Sequence, residues 1–134
     1  MMKKYIDTNI FLYPLLYEDE KAKVCKSILL KIGKKEIIGI TSFLTWDEVV
    51  YSLKKLLGRD IAIKEGRKFL KIPELVFVRT DENIIYKSQE LIEKYNINPR
   101  DAIHAATCIL TSANELLTDD SDFDKIKEIK RASI

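Results

Sequence analysis

The chain has 134 residues, of which 46% are hydrophobic and 33% charged, and its 23 Lys and Arg against 21 Asp and Glu leave a net charge of +2. This length suits one domain with a substantial core, and no apolar run approaches the roughly 20 residues that a membrane-spanning helix needs. The small net charge argues against a strongly basic nucleic-acid binder, and two widely separated cysteines argue against a disulfide or zinc framework, so we expect one soluble cytoplasmic domain over residues 1–134.

Hydrophobic patterning predicts that strands and helices alternate along the chain. The β-prone run 3–6 ends at Asp7, and Thr8 or Asn9 offers an N-cap for a helix that Pro14 interrupts. Further helices are predicted at residues 19–32, in an amphipathic segment that Gly58 ends, and at 60–70, 82–95 and from 98 onwards. Further strands are predicted at 36–40, at 75–78 as a buried strand, at 115–118, and near the C-terminus as an edge strand. This order predicts a three-layer α/β sandwich on a mostly parallel sheet of about four to five strands.

The segment after Asn98 has the pattern of a helix entrance with a carboxylate in its first turn. Asn98 suits the N-cap and Pro99 the first helical position, so Asp101 falls at the third, facing the positive end of the helix dipole. Ala102 and Ala105 have little side-chain bulk, so the helix is expected to pack close to its neighbours. A structural alternative is that Asp101 bonds back to the N–H of the cap.

Carboxylates occur at positions that a parallel sheet would bring together. In such a sheet every strand ends at the same edge, where the connecting helices also begin. Asp7 follows the first strand, Glu48 lies in the first two turns of a helix that follows a strand, and Asp101 opens a helix that precedes one. Three more acids follow a later strand, namely Asp119, Asp120 and Asp122. All are therefore expected at the edge where α/β folds bind their ligands.

Acids this close together require compensation for their mutual repulsion. Only Arg100 supplies a basic side chain beside them in the sequence. Divalent cations that prefer oxygen ligands, Mg²⁺ or Mn²⁺, are the natural compensation. Such an ion lowers the pKa of a bound water and neutralises a phosphoryl group under attack. The pattern therefore favours metal-assisted phosphodiester hydrolysis.

Each acid also has a structural interpretation. Asp7 could cap the first helix, and Glu48 could close a capping box with Thr45. Asp122 could cap the closing helix, which leaves Asp120 as the better metal ligand. Taken singly, these acids do not distinguish a metal site from ordinary helix capping.

Two other interpretations of the sequence are weaker. The acids at 120, 122 and 124 suggest a calcium loop, but Lys125 stands where its glycine belongs and Arg131 where its bidentate glutamate belongs. An EF-hand is therefore rejected. His104 is the only histidine, which excludes a two-histidine nuclease, and it is expected to pack or to support a ligand rather than to act in catalysis.

Four segments, taken in order, carry a resemblance to a known family. They are Ile6-Asp7-Thr8-Asn9, Ser42-x-x-Thr45-x-x-Glu48, Arg100-Asp101-Ala102-Ile103-His104-Ala105-Ala106 and Leu117-Thr118-Asp119-Asp120-Ser121-Asp122-Phe123. Together they resemble the PIN-domain ribonucleases over nearly the whole chain. A lone domain of this size is similar to the VapC-type toxins of type II toxin–antitoxin pairs. The resemblance implies a Mg²⁺- or Mn²⁺-dependent endoribonuclease.

The resemblance also implies roles for individual residues. The implied catalytic quartet is Asp7, Glu48, Asp101 and Asp120. The implied metal ligands are Asp7, Asp101, Asp120 and Asp122, with Asn9 and Thr118 as polar neighbours. The additional acid at position 119 leaves open which of Asp119, Asp120 and Asp122 is the fourth ligand.

The expected partners are RNA and protein. RNA is expected to be positioned by basic side chains, because carboxylates cannot hold phosphates, and the candidates are Arg100, Lys54, Lys55 and Arg59. Residues 11–17 carry more apolar side chains than one helix face can bury, which predicts an interface in a homodimer or with an antitoxin, unless they pack in the core. Two other classes of function stay open: a catalytically silent RNA- or protein-binding module, and a Mg²⁺-dependent phosphotransfer or receiver-type domain.

Overall fold

The computed structural model describes every residue from Met1 to Ile134 and is organised around a five-stranded sheet. The strands are β1 (Lys3–Ile6), β2 (Ile38–Ser42), β3 (Val76–Val78), β4 (Glu115–Leu117) and β5 (Arg131–Ala132). They lie in the order β3-β2-β1-β4-β5, and every neighbouring pair is parallel. The sheet is therefore fully parallel, with β1 at its centre.

Six α-helices flank the sheet. They are α1 (Thr8–Leu16), α2 (Glu20–Gly33), α3 (Leu44–Leu57), α4 (Arg59–Phe69), α5 (Glu82–Lys94) and α6 (Pro99–Leu110), and a 3₁₀ helix (Ser121–Lys125) follows β4. No helix among them combines the length and the apolar character needed to span a bilayer.

Helices cover both faces of the sheet. Successive residues of β1 point to opposite faces, so Tyr5 joins the core formed with α5 and α6, whereas Ile6 joins the core formed with α1 to α4. Both side chains are fully buried. The predicted three-layer α/β sandwich is confirmed.

The helix that carries Asp101 lies close to the sheet. Three alanines on α6, Ala102, Ala105 and Ala106, are fully buried in the core on that face. Their small side chains allow the helix backbone to approach its neighbours. The first turn of α6 is thereby held beside the ends of the central strands.

The connection from β2 to α3 sets the position of Glu48. β2 extends to Ser42, two residues past its predicted end, and Ser42 Oγ accepts the N–H of Leu44 at 3.0 Å where α3 begins. Glu48 therefore lies in the second turn of α3, near the carboxyl edge of the sheet. At its other end, α3 stops at Gly58, whose φ of 94° lies in the left-handed region that favours glycine.

Three local predictions are corrected by the structure. β3 is not buried but lies at the sheet edge, and Val76 is 46% exposed because only β2 pairs with this strand. Helix α1 is capped by Asp7 rather than by the two residues after it, since Asp7 Oδ1 accepts the next backbone N–H. Asn98 occupies the N-cap position of α6, but its side chain makes no capping hydrogen bond.

Gly39 tests the close packing of β2 against α2. A Cβ at this position would collide with the buried Ile32 side chain, coming within 2.8 Å of its Cγ1. We expect Gly39→Ala to lower the free energy of unfolding by about 1–3 kcal/mol, because the fully packed core must shift to admit the methyl group. Urea denaturation would measure the change.

Gly33→Ala is the matched control for Gly39→Ala. A Cβ at Gly33, the last residue of α2, would meet no atom within 4 Å. The control variant is expected to be as stable as the parent or slightly more stable, because alanine restricts the unfolded chain. Equal stability of the two variants would contradict the packing argument.

Candidate active site

Asp7 directly follows the central strand β1 and is nearly enclosed at the carboxyl end of that strand. It is 7% exposed, and its Oδ1 accepts the N–H of Thr8 at 2.7 Å. Its Oδ2 accepts the hydroxyl of Thr118 at 2.7 Å and the amide of Asn9 at 3.4 Å. Hydrogen bonds on both oxygens fix the orientation of this carboxylate. Asp7 therefore caps α1 and contacts both polar neighbours that the resemblance implied.

Thr118 connects Asp7 to the loop after β4. The fully buried Thr118 hydroxyl donates to Asp7 Oδ2 and accepts from Asn9 Nδ2 at 3.0 Å and from the backbone N–H of Asp120 at 3.0 Å. Its one hydrogen and two lone pairs are all used. The hydroxyl therefore fixes the start of the Asp120 loop relative to the end of β1.

Glu48 reaches the same edge from α3 and contacts His104 and Thr8. Its Oε1 makes a short hydrogen bond with His104 Nε2 and accepts the Thr8 hydroxyl at 2.9 Å. Burial opposes the charge of Glu48, but the hydrogen bond and charge of His104 outweigh it and lower the pKa of Glu48. Burial also opposes the charge of His104, yet the hydrogen bond to Glu48 and the charge of Asp7 raise the pKa of His104. Each partner thus stabilises the charged form of the other.

His104 is one turn beyond Asp101 on α6 and only 1% exposed. Its Nδ1 lies 2.6 Å from Tyr5 Oη, and its Nε2 lies 3.8 Å from Asp7 Oδ1. The sequence offered one signal for this placement, the three-residue spacing that puts His104 and Asp101 on one helix face. The sequence offered no signal for the contact of Tyr5 with His104, because its pattern predicts only a core residue of β1.

Asp101 is half-buried at the start of α6, and its side chain makes no hydrogen bond within the protein. Burial raises the pKa of Asp101 to about 6, with further contributions from the charges of Asp7 and Asp120. The negative charges of Asp7 and Asp120 therefore oppose the ionisation of Asp101. A bound cation would relieve that repulsion.

Asp119 is engaged outside this group of acids. Its Oδ2 accepts the Tyr13 hydroxyl at 2.7 Å and forms an ion pair with Lys21 Nζ at 2.8 Å. Hydrogen bonds from Lys21 and then Tyr13 lower the pKa of Asp119. This acid joins the loop after β4 to α1 and α2, contacts that sequence reasoning did not anticipate.

Asp120 and Asp122 belong to the loop and 3₁₀ helix that follow β4. Asp120 is half-buried, and its charge acts on Asp101. Its Oδ1 accepts the backbone N–H of Asp122 at 2.9 Å, so Asp120 caps the 3₁₀ helix. Asp122 is exposed beside it. Asp120 is therefore the acid of this loop whose charge raises the pKa of Asp101.

Arg100 lies beside the acids on an open cleft of about 450 Å³. The cleft is lined by Glu48, Asn98, Pro99, Arg100 and Asp101. Arg100 Nη2 lies 3.4 Å from Asp47 Oδ2, while the guanidinium remains exposed to solvent. An anionic ligand in the cleft would therefore meet one positive charge next to the carboxylates.

The other basic residues expected to bind RNA lie further away. Lys54 and Lys55 are in the last turn of α3, about 9 Å or more along the helix axis from Glu48, and Arg59 opens α4. All three side chains are exposed. They would contact only a ligand that extends well beyond the acids.

The donor set fits a divalent cation. Asp7, Glu48 and His104 each offer a ligand atom within 4.8 Å of the others. His104 Nε2 is already bonded to Glu48, so the atoms of this group that suit a cation are carboxylate oxygens. Asp101 and Asp120 lie outside this group of three, although the charges of Asp7 and Asp120 act on Asp101. Oxygen ligands with excess negative charge suit Mg²⁺ and Mn²⁺.

Comparisons with known proteins identify the family of this chain. Residues 4–129 match the PIN domain family. Ribonuclease VapC6 of Methanocaldococcus jannaschii is 36% identical over 97% of this chain and 81% of its own length, and ribonuclease VapC2 of the same organism is 29% identical over 92% and 89%. A chain of a toxin–antitoxin complex from Klebsiella pneumoniae has a TM-score of 0.68 at 23% identity, with 94% of each chain covered. The chain belongs to the PIN domain family.

Proposed function

We propose that residues 1–134 form a single nuclease domain that hydrolyses RNA phosphodiester bonds with Mg²⁺ or Mn²⁺ and acts as the toxin of a toxin–antitoxin pair. The observation that carries the proposal is the group of Asp7, Glu48 and His104, whose ligand atoms lie within 4.8 Å of one another, together with the cleft that Glu48 shares with Asp101. The family match and the ribonuclease relatives support RNA as the substrate.

Each side chain of the site has a distinct role in this proposal. Asp7, Asp101 and Asp120 hold the metal, and Asp122 assists from the adjacent 3₁₀ helix. The bound cation lowers the pKa of a water and offsets charge on the phosphoryl group. Glu48 accepts a hydrogen bond from the attacking water and orients it. Asn9 and Thr118 keep the carboxylate of Asp7 in place.

Basic side chains are proposed to position the RNA. Arg100 stands on the cleft with Asp101 and would pair with a phosphate close to the scissile bond. Lys54, Lys55 and Arg59 would contact phosphates further along a bound strand, because they lie beyond the far end of α3 or at its last turn. Contacts of this kind position the strand without reading its sequence.

A protein partner is also proposed. The Klebsiella pneumoniae chain of the same fold belongs to a toxin–antitoxin complex, which supports an antitoxin for this cytoplasmic chain. The segment 11–17 is a candidate surface, because Leu15 and Tyr17 are 41% and 52% exposed whereas Phe11 is buried. A homodimer through apolar surface of this kind is part of the proposal.

The first test is substitution of the acids. We expect Asp7→Asn, Asp101→Asn and Asp120→Asn each to reduce metal-dependent RNA cleavage on the order of 100-fold or more, because each loses a charged ligand with little change in volume. Cleavage of single-stranded RNA would be measured at equal Mg²⁺, with circular dichroism to check folding. Asp101→Asn is the cleanest variant, since Asp101 makes no hydrogen bond within the protein.

Asp60→Asn is the matched control for these variants, because the Asp60 side chain is fully exposed on α4. It is expected to cleave like the parent. Near-parental cleavage by any two of the three site variants would contradict the assignment of the site. Folded protein that binds RNA but never cleaves it would indicate a silent binding module instead.

The second test concerns the stability of the metal-free protein. The pKa of Asp101 is about 6 in the folded state against about 3.9 unfolded, so ionising it costs stability as pH rises through this window. Asp101→Asn cannot ionise. In EDTA it should gain about 1 kcal/mol over the parent between pH 4 and pH 8, after allowance for solvent screening.

Urea denaturation of both proteins at the two pH values would measure this gain. Mn²⁺ at ~100 times its dissociation constant should then stabilise the parent by about 2.7 kcal/mol and the variant by much less. A stability difference that is the same at both pH values would show that folding does not raise the pKa of Asp101. Equal stabilisation by Mn²⁺ would remove Asp101 from the ligands.

The third test concerns Arg100. With Ca²⁺ in place of Mg²⁺ to prevent cleavage, Arg100→Gln should weaken RNA binding and reduce the slope of log K against log salt by about 0.7, as expected for one phosphate contact to a single strand. Lys34→Gln removes the same charge from the loop before β2, at the opposite edge of the sheet, and should leave the slope unchanged. Fluorescence anisotropy of labelled RNA over a salt series would measure the slope for the parent and for both variants.

A further inference from the structure

A chain of buried hydrogen bonds leads from the centre of the sheet to Glu48. Tyr5 on β1 and His104 on α6 are 0% and 1% exposed, and their rings meet edge to face with centroids 5.7 Å apart. Tyr5 Oη lies 2.6 Å from His104 Nδ1, and His104 Nε2 contacts Glu48 Oε1. Three elements of the fold are thus linked through one imidazole ring.

Donor counting at Glu48 determines which way this chain runs. The pKa of Glu48 is lowered, so its ionised carboxylate can only accept, and His104 Nε2 must carry the hydrogen that lies between them. In a neutral His104 ring Nδ1 is then unprotonated and must accept. Burial raises the pKa of Tyr5, so the hydroxyl keeps its hydrogen and donates it to His104 Nδ1, while Tyr5 Oη accepts the backbone N–H of Ser42 at 3.2 Å.

The bond to Glu48 does not depend on the charge of His104. A protonated imidazole carries hydrogens on both nitrogens, so Nε2–H still donates to Glu48. In the neutral ring, the tautomer that preserves this bond leaves Nδ1 unprotonated, and the Tyr5 hydroxyl supplies the hydrogen that Nδ1 accepts. Glu48 therefore receives the same donor in both protonation states of His104.

All protein donors to Glu48 fall on one carboxylate oxygen. Both the Thr8 hydroxyl and His104 Nε2 bond to Oε1, and no protein donor contacts Oε2. Glu48 also lines the cleft shared with Arg100 and Asp101. The protein therefore holds the carboxylate by Oε1, and Oε2 is available to a ligand in the cleft.

We propose that His104 and Tyr5 are positioning residues, which hold Glu48 by Oε1 so that Oε2 accepts a hydrogen bond from the attacking water. This inference rests on the proposed ribonuclease activity, in which Glu48 orients that water. Its physical basis is that a partner behind a functional carboxylate fixes the orientation of the group.

The tautomer can be observed directly, because His104 is the only histidine in the chain. Protein labelled with ¹⁵N-histidine gives one pair of ring nitrogens, whose chemical shifts distinguish a protonated from an unprotonated nitrogen. At alkaline pH, where the ring is neutral, we expect Nε2 to be protonated and Nδ1 unprotonated. The opposite tautomer in the parent protein would overturn the inference.

Tyr5→Phe then tests the consequence for Glu48. The variant keeps the ring of Tyr5 but removes the hydroxyl that donates to Nδ1, so the ¹⁵N shift of Nδ1 should move to that of a nitrogen without a hydrogen bond, while Nε2 stays protonated against Glu48. We expect kcat to fall by about 10- to 100-fold, with a smaller change in KM for RNA, because substrate binding does not require Glu48. Unchanged kcat despite the lost hydrogen bond at Nδ1 would overturn the positioning role.

Tyr95→Phe is the matched control, since it removes a hydroxyl that bonds Glu128 and the backbone of Lys127 at the surface and makes no hydrogen bond with His104 or Glu48. It should retain the tautomer and the kcat of the parent. A decrease in kcat of the same size in Tyr95→Phe would show that hydroxyl loss acts only through general destabilisation, and would also overturn the inference.

His104→Gln provides a second, independent variant. Glutamine retains an N–H donor for Glu48, so it should recover more activity than His104→Leu, and equal loss in both folded variants would count against a donor role. These outcomes are separate from failure of the proposed function. If the parent and Tyr95→Phe cleave no RNA with Mg²⁺ or Mn²⁺, the ribonuclease proposal fails, whatever tautomer the spectrum shows.

Discussion

Parallel pairing of β1 with both β2 and β4 is the constraint on which the rest of the structure depends. The register pairs Tyr5 with Ile40 on one side and Ile6 with Leu117 on the other, so the three strands end at nearly the same level. A slip of one residue would exchange the faces of Tyr5 and Ile6 and move the carboxylate of Asp7 away from the edge. The geometry of the site is therefore set by backbone pairing, and side-chain contacts then adjust it.

The acids at this edge differ in how their charge is compensated. Asp7 accepts hydrogen bonds from neutral donors and lies 3.8 Å from His104 Nε2, Glu48 contacts the same histidine and a hydroxyl, and Asp119 contacts a lysine and a tyrosine. Asp101 makes no side-chain hydrogen bond within the protein, and burial raises its pKa to about 6. The uncompensated charge is thus concentrated at the entrance of α6, next to the open cleft. That is where a cation or a phosphate with its counterion gains most from electrostatics.

Much of this arrangement could be predicted from the sequence. The rule that parallel strands end at one edge placed Asp7, Glu48, Asp101 and Asp120 together, because it depends only on the order of strands and helices. Side-chain partners distant in sequence could not be predicted, and the Tyr5 to His104 contact spans 99 positions. The ion pair between Asp119 and Lys21 could not be predicted for the same reason, because it forms only when α2 packs beside the loop after β4. The prediction that β3 is buried was wrong, because an apolar run does not reveal whether its strand pairs with one neighbouring strand or two.

The pairing of β1 with β4 also has a consequence for synthesis of the chain. β1 is synthesised first, and its partner β2 follows about 35 residues later. The other side of β1 can pair only after β4 has been synthesised, because Lys4 pairs with Glu115. The hydroxyl of Thr118 that fixes Asp7 arrives later still. At roughly 5–20 residues per second, the nascent chain spends several seconds without a complete acidic edge. A chain released early by truncation or stalling before residue 118 therefore lacks the hydrogen bond that holds Asp7 and the acids that follow β4.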